Sequence, residues 1–378
     1  MATRGANRKV PKYQQVLDVL QKEIVSGGYL AGQRFPSEAM LVKKFGTSRI
    51  TVGRAVRELE RRGLVERRAG SGTYVRAMGG SGGGLLFGLL IPDLGTTEIF
   101  EPICQGIAGA RAASNHALLW GNAGASKAST EEQAWQLCRQ FIDRNVAGVF
   151  FAPLERSAES GEANRRIVAA LESARIPVVL LDRCILPYPQ RSKHDLVGID
   201  NRRAGYTITA HLLELGCRRI AFAAYPDSAP TVEARMAGYR EALAAYGAPV
   251  ESALVWRLNP AAADEVGAML KAARAQAFVC ANDRTAGQLM RTLMDLGHRI
   301  PEEVRLVGID DVKYASLLPV PLTTIRQPCR EIGEAAMAVM LDRVARPEAC
   351  VRDVLLDSRL VVRASCGAAL NAAAPPRW

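Results

Sequence analysis

The chain has 378 residues, 48% hydrophobic and 23% charged, more than one ordinary compact domain and suited to a small domain joined to a large one. Its formal net charge of +11 is unevenly placed: residues 1–78 hold 16 Lys/Arg against 6 Asp/Glu, while the remaining 300 hold 33 against 32. A basic module on a neutral body predicts a polyanionic partner for that module alone, and the composition excludes a membrane-spanning or disulfide-scaffold protein.

In chain order, Tyr13 to Ser26 has helical periodicity, with Val16, Leu17, Leu20 and Ile24 on one face, and Gly27-Gly28 ends it. Ser37 is placed to cap a second helix with Met40, Leu41 and Phe45 as its apolar face, and Gly46 ends it. Ser48 caps a third helix, running to about Arg62, with Val52, Val56 and Leu59 facing inward. After Gly63, two short strands flank the tip Ala69-Gly70-Ser71-Gly72, which reads as a β-hairpin. Three helices and a hairpin make a winged helix-turn-helix, which lays its recognition helix in the major groove of duplex DNA. Arg49 and Arg54 can make bidentate contacts to guanine or phosphate, and Ser48 and Thr51 can reach phosphates or base edges. Arg57, Arg61 and Arg62 read instead as a solvated face.

Gly79 to Gly84 is a flexible linker, because it precedes a strand where a nucleotide loop would follow one. Strands are then expected at Leu85–Ile91, Ala117–Gly121, Gly148–Ala152, Pro177–Asp182, Leu196–Asp200, Ile220–Ala224, Leu254–Arg257, Ala277–Ala281 and Arg305–Ile309, most followed by a helix. Repeated βα units imply parallel sheets, and about 280 residues of them imply two lobes. Polar residues stand after many of these strands: Asp93, Asp182-Arg183, Asp200-Asn201, Asn282-Asp283 and Asp310-Asp311. Ligands bind beyond the carboxyl ends of such strands, and carboxylates, amides and guanidinium groups there suit a polyhydroxylated ligand. The competing reading is that strand-end Asp residues cap the following helices.

Several fixed-order motifs carry two resemblances. Gly32–Glu38, Phe45–Val52, Leu59–Val65 and Gly70–Val75 make residues 12–75 similar to a GntR-type winged helix-turn-helix. That resemblance implies DNA contacts at Ser48, Arg49, Thr51 and the wing around Gly70, with Arg34 in the first shared motif a further expected contact. Two positions depart from the family pattern: Ala39 and Gly53 stand where the family often has arginine, and a helix-interior glycine costs about 1 kcal/mol relative to alanine. Residues 85–366 resemble the periplasmic-binding-protein-like effector core of LacI/GalR-type regulators, through Val178–Arg183, Val197–Asn201, Leu215–Ala221, Arg235–Tyr239, Ala281–Asp283, Val307–Asp311 and Leu322–Pro328. By that resemblance Arg235, Asn282 and Asp310 contact the effector, with Asp182 and Asp200 beside them. Phe100 and the Tyr225–Asp227 loop line the cleft, where a sugar ring stacks on an aromatic face. The combination is similar to the arabinose-responsive repressors of Gram-positive bacteria.

The domains expected are thus a DNA-binding head at 1–78, a linker at 79–84, a two-lobed α/β effector domain at 85–366 and a flexible tail at 367–378. The expected function is a ligand-switched, sequence-specific transcriptional regulator, a homodimer on double-stranded operator DNA, released by a sugar or sugar derivative. The alternatives are a ligand that promotes DNA binding, or a glycosidase-like enzyme using the acidic cleft; against the enzyme, no acid/base pair, nucleophile, metal or cofactor motif is recognisable. The eight scattered cysteines, the polar start and the short apolar run Leu85–Ile91 predict a cytoplasmic, nucleoid-associated protein without a membrane partner.

Overall fold

A computed structural model describes residues 12–25, 29, 33–61, 64–68, 71–75, 84–91, 98–121, 129–155, 158–226 and 228–369. The expectations at Gly27-Gly28, Arg62-Gly63, Gly70, residues 79–83, Asp93, Asp227 and the end of the tail lie outside them. The described residues fall into two compact units, those of 1–87 with 115–117 and those of 88–114 with 118–378.

The first unit holds α1 (Lys12–Val25), α2 (Glu38–Phe45), α3 (Arg49–Arg61) and the hairpin β1 (Val65–Arg68) with β2 (Gly72–Val75). Local chemistry sets the boundaries. Ser37 accepts a hydrogen bond from the Met40 N–H at the start of α2, and Gly46 ends it at φ +57°, a left-handed conformation that glycine adopts without a Cβ penalty. Ser48 Oγ accepts from the Thr51 N–H at the head of α3. The apolar stripe of α1 (Val16, Leu17, Leu20, Ile24) packs with Leu41, Val52, Val56 and Leu59 in one core, closed by Val65 and Val75 from the hairpin. Met40 departs from expectation. It is 61% exposed, because the neighbouring Leu41 takes the inward position of this short helix. The wing is also wider than the two strands read from sequence: Phe35 N–H donates to Thr73 O and Val75 N–H to Gln33 O, so residues 33–35 line the free edge of β2.

The remaining elements form two lobes with the same winding. Lobe 1 contains β3 (Leu86–Leu90), α4 (Phe100–Gly109), β4 (Ala117–Trp120), α5 (Thr130–Asp143), β5 (Gly148–Phe151), α6 (Ala158–Ser173), β6 (Val178–Leu181) and β7 (Asp195–Ile199). Lobe 2 contains α7 (Asn201–Glu214), β8 (Ile220–Ala224), α8 (Pro230–Ala245), β9 (Val255–Arg257), α9 (Ala263–Ala273), β10 (Ala277–Cys280), α10 (Asp283–Asp295), β11 (Arg305–Asp310) and β12 (Thr323–Arg326). The chain then returns to lobe 1 with α11 (Cys329–Ala345) and β13 (Asp353–Leu356), and ends in lobe 2 with β14 (Arg359–Val361). The sheets run β13-β7-β6-β5-β3-β4 and β14-β12-β11-β10-β8-β9. Each reverses its strand order beside its first strand, and the loops at the carboxyl ends there form the usual ligand crevice of such sheets.

The second sheet is parallel apart from β12–β14, so it carries one antiparallel edge where sequence patterning implied parallel strands throughout. Both lobes use the same close helix contact. A Cβ on Gly205 of α7 would stand 2.0 Å from Arg235 O of α8, and one on Gly106 of α4 would stand 2.1 Å from Arg330 O of α11, so only glycine permits these approaches.

Candidate functional site

On the head, the side chains near the start of α3 are presented to solvent. The Arg49 side chain is 83% exposed and Ile50 is 82% exposed, while Ser48 Oγ and Thr51 Oγ1 lie 2.9 Å apart. The Arg54 guanidinium stacks on the Tyr13 ring at 4.0 Å, which orients it without neutralising it. Arg34 is exposed and lies against Gly72 in the wing, so it belongs to the wing edge. Gly70 lies outside the described residues. A residue the sequence reasoning missed ties these parts together. Glu38, at the start of α2, accepts from Arg67 Nη2 of the wing at 2.8 Å and lies 3.5 Å from Arg49 Nε of the recognition helix. Gly53 stands beside this carboxylate, with 3.6 Å between Glu38 Oε1 and the place of a Cβ. That is ordinary contact, so nothing inside the protein requires glycine there.

Between the lobes, the carboxyl ends of the strands converge. Arg235 of α8 is 4% exposed and holds three elements together: Nε donates to Asn201 Oδ1 (2.8 Å), Nη1 to Ala281 O (2.6 Å) and Nη2 to Asp310 Oδ1 (3.3 Å). Asp310 Oδ1 also accepts from Gln327 Nε2 at 2.7 Å. Burial pushes the Asp310 carboxyl up to about 6 against the pull of Arg235 and Gln327. From lobe 1, Asp182 follows β6 at φ +68°, a strained conformation for a residue with a Cβ, and burial raises its pKa despite Arg183 and Arg235 nearby. Arg183 Nη1 donates to Glu155 Oε2 at 2.7 Å, and its guanidinium lies 5.5 Å from the Phe100 ring centre. Asp182 Oδ1, Arg183 Nε and Gln327 Oε1 are buried without a hydrogen-bond partner among the described residues. An unmet buried acceptor or donor costs about 1–3 kcal/mol, so these orphans favour a polar ligand that meets them.

Of the residues expected at the cleft, Phe100, Asp182, Arg235, Asn282 and Asp310 line one chamber. Phe100 is 1% exposed with Arg183 near its face, so its ring is part of the wall. Asn282 Oδ1 accepts from the Thr285 N–H and thereby caps α10 while lining the chamber. Asp200 is not brought to the chamber. It caps α7 by accepting from the Arg203 N–H at 2.9 Å, and its neighbour Asn201 turns inward to Arg235. Tyr225 is held elsewhere, donating to Gln288 Oε1. Glu155 and Gln327 were missed. Glu155 lies four residues past the end of β5, and extending the strand-end rule that far would have found it.

Comparison with known proteins matches each unit separately. Residues 12–75 match bacterial regulatory proteins of the gntR family, and residues 209–366 match the periplasmic binding protein-like domain. The chain is a transcriptional regulator with a GntR-type DNA-binding head and a periplasmic-binding-protein-like receptor. Over 95% of its length the regulator is 27% identical to the arabinose metabolism transcriptional repressor of Geobacillus stearothermophilus, of which it covers 98%. Half of it is 31% identical to the HTH-type transcriptional repressor PurR of Vibrio campbellii, of which it covers 56%. Among solved structures, the transcriptional regulator CelR–cellobiose complex aligns with 94% of the regulator and 100% of its own chain, at TM-score 0.61 and 25% identity. A LacI family regulator from Enterococcus faecium with bound ribose aligns with 74% of the regulator and 98% of its own chain, at TM-score 0.59 and 26% identity.

Proposed function

We propose that the regulator is a cytoplasmic repressor whose receptor binds a neutral, polyhydroxylated effector between its lobes and then releases operator DNA. Two copies pair to present two heads to two half-sites, as a closed two-fold assembly requires. Residues 1–78 grip the DNA through Arg34, Ser48, Arg49, Thr51, Arg54 and the wing at Gly70, residues 79–84 link, residues 85–366 receive the effector, and the end of the chain is a tail. The observation that carries the effector reading is the pair of orphaned atoms on adjacent residues, Asp182 Oδ1 and Arg183 Nε. One accepts and the other donates, which suits neighbouring hydroxyl groups, each both donor and acceptor.

A neutral ligand fits the pairing already present: the two buried cations, Arg183 and Arg235, are bound to Glu155 and Asp310, and Arg284, which also lines the chamber, is exposed to solvent. The same pairing supports binding over hydrolysis, since Asp310 and Glu155 are each held by arginine and are not placed as an acid/base couple. A relative named for arabinose metabolism and two neighbours, one holding cellobiose and one ribose, agree with this chemistry. The test is fluorescence anisotropy of purified protein on operator DNA selected from random duplexes, with sugars added in turn. A sugar that releases DNA and raises the melting temperature of wild type, but not of Arg235→Ala, supports the reading. Turnover of a sugar, or binding of sugar phosphates alone, overturns it.

A further inference from the structure

Ile50 takes no part in the core of the head. It is 82% exposed, the most exposed large hydrophobic among the head's described residues, while Val52, Val56 and Leu59 of the same helix are buried. Its neighbours on α3 are engaged elsewhere. Arg49 Nε lies 3.5 Å from Glu38 Oε2 of α2, the Arg54 guanidinium stacks on Tyr13 of α1 at 4.0 Å, and the Thr51 hydroxyl lies 2.9 Å from that of Ser48. Gly53, three residues on and so on the same face, adds no side chain beside it. The head of the recognition helix thus presents one stiff, branched, apolar side chain to solvent, beside cations steered by other helices.

The position decides what meets this side chain. A recognition helix enters the major groove with the residues of its N-terminal turn toward the base edges. Those edges carry hydrogen-bond donors and acceptors, and the apolar group that projects from them is the C5-methyl of thymine. A polar edge pressed against Ile50 would lose its water without gaining a partner, whereas the methyl loses nothing. We infer that Ile50 is a specificity-determining residue that reads the C5-methyl of a thymine in the operator half-site. The inference rests on the DNA-binding reading above and adds the identity of one base pair to it. Because only the thymine strand carries the methyl, the preference is for an A·T pair in one orientation.

The test uses the full-length regulator and the duplex it selects from a random pool. Each thymine of one half-site is replaced in turn by deoxyuridine, which removes the methyl and keeps the Watson–Crick pair, and binding is read by fluorescence anisotropy. At one thymine the wild type is expected to lose about fourfold in affinity, the worth of one buried carbon. Ile50→Ala loses less than about twofold at that same thymine, and Ile50→Val, which keeps most of the contact, falls between. Both variants keep the wild-type melting temperature, because the side chain lies outside the core of the head. A selected site without a fixed thymine, no loss at any deoxyuridine, or a loss as large in both variants as in wild type overturns the inference and leaves the DNA-binding reading standing. Failure of the regulator to select any duplex overturns both.

Discussion

Arg235 is buried with three acceptors on three separate elements, and its charge is matched by Asp310. Truncating one member of such a buried pair strands the other, at about 3–5 kcal/mol. Arg235→Ala is therefore expected to lower receptor stability, seen as a reduced melting temperature, and to weaken effector binding by 100-fold or more, an equivalent of ~3 kcal/mol. Asp283 gives a second expectation at this scale. It is fully buried, accepts from Thr324 Oγ1 and the Val312 N–H, and burial pushes its carboxyl up to about 7 from an ordinary 3.8, with Asp310 close by adding to the rise. The folded chain thus keeps a proton here that the unfolded chain has released. Stability from this group is complete below the unfolded value and falls as pH rises through about 7. Thermal melts between pH 5 and 8 are expected to slope downward, and Asp283→Asn to flatten that slope even though it weakens one hydrogen bond. A variant slope as steep as wild type would show that Asp283 is already ionised in the folded state. Asn282 and Asp310 could be found from sequence because each stands at the end of an apolar strand, whereas Arg235, inside α8, was reached only through the family motif around it. Glu38 could not, because its importance comes from Arg49 and Arg67, 11 and 29 residues away, meeting only in the folded head.

Among the elements, α3 and the α7–α8 pair show the two opposite uses of glycine. Gly53 of α3 has ordinary space above it, so Gly53→Ala adds helix propensity of about 1 kcal/mol without a clash. The head is expected to melt about 4–8 °C higher as a result, measured on the DNA-binding domain. Gly205 of α7 is the reverse case, its Cβ overlapping the carbonyl of Arg235 itself. Gly205→Ala is expected to push α8 away and lose effector binding together with stability, read by titration and melting on one preparation. Most elements were legible in the sequence because the buried strands are continuous apolar runs such as Val178–Leu181 and Ala277–Cys280, bounded by polar residues. β12, β13 and β14 were not read as strands. β13 and β14 are edges of four and three residues with no fully buried position, and nothing local tells that one joins lobe 1 and the other lobe 2. Met40 was assigned inward because helical spacing alone does not choose between adjacent apolar residues on an eight-residue helix.

For the molecule as a whole, the separation of a cationic head from a neutral receptor predicts separable behaviour. DNA affinity should fall steeply as salt rises, because each phosphate contact releases counterions. Arg54→Gln is expected to reduce the slope of log affinity against log salt by about 1, while the melting shift given by an effector stays unchanged. An unchanged slope would remove Arg54 from the contact set. The three passages of the chain between lobes carry a different consequence. Lobe 1 is completed by α11 and β13, and lobe 2 by β14, all from the last part of the sequence. On the ribosome, the head is fully synthesised while neither lobe yet has its final strand. A stop codon before residue 353 would therefore leave a finished DNA grip on a receptor that can never close, deaf to the signal it was built to obey.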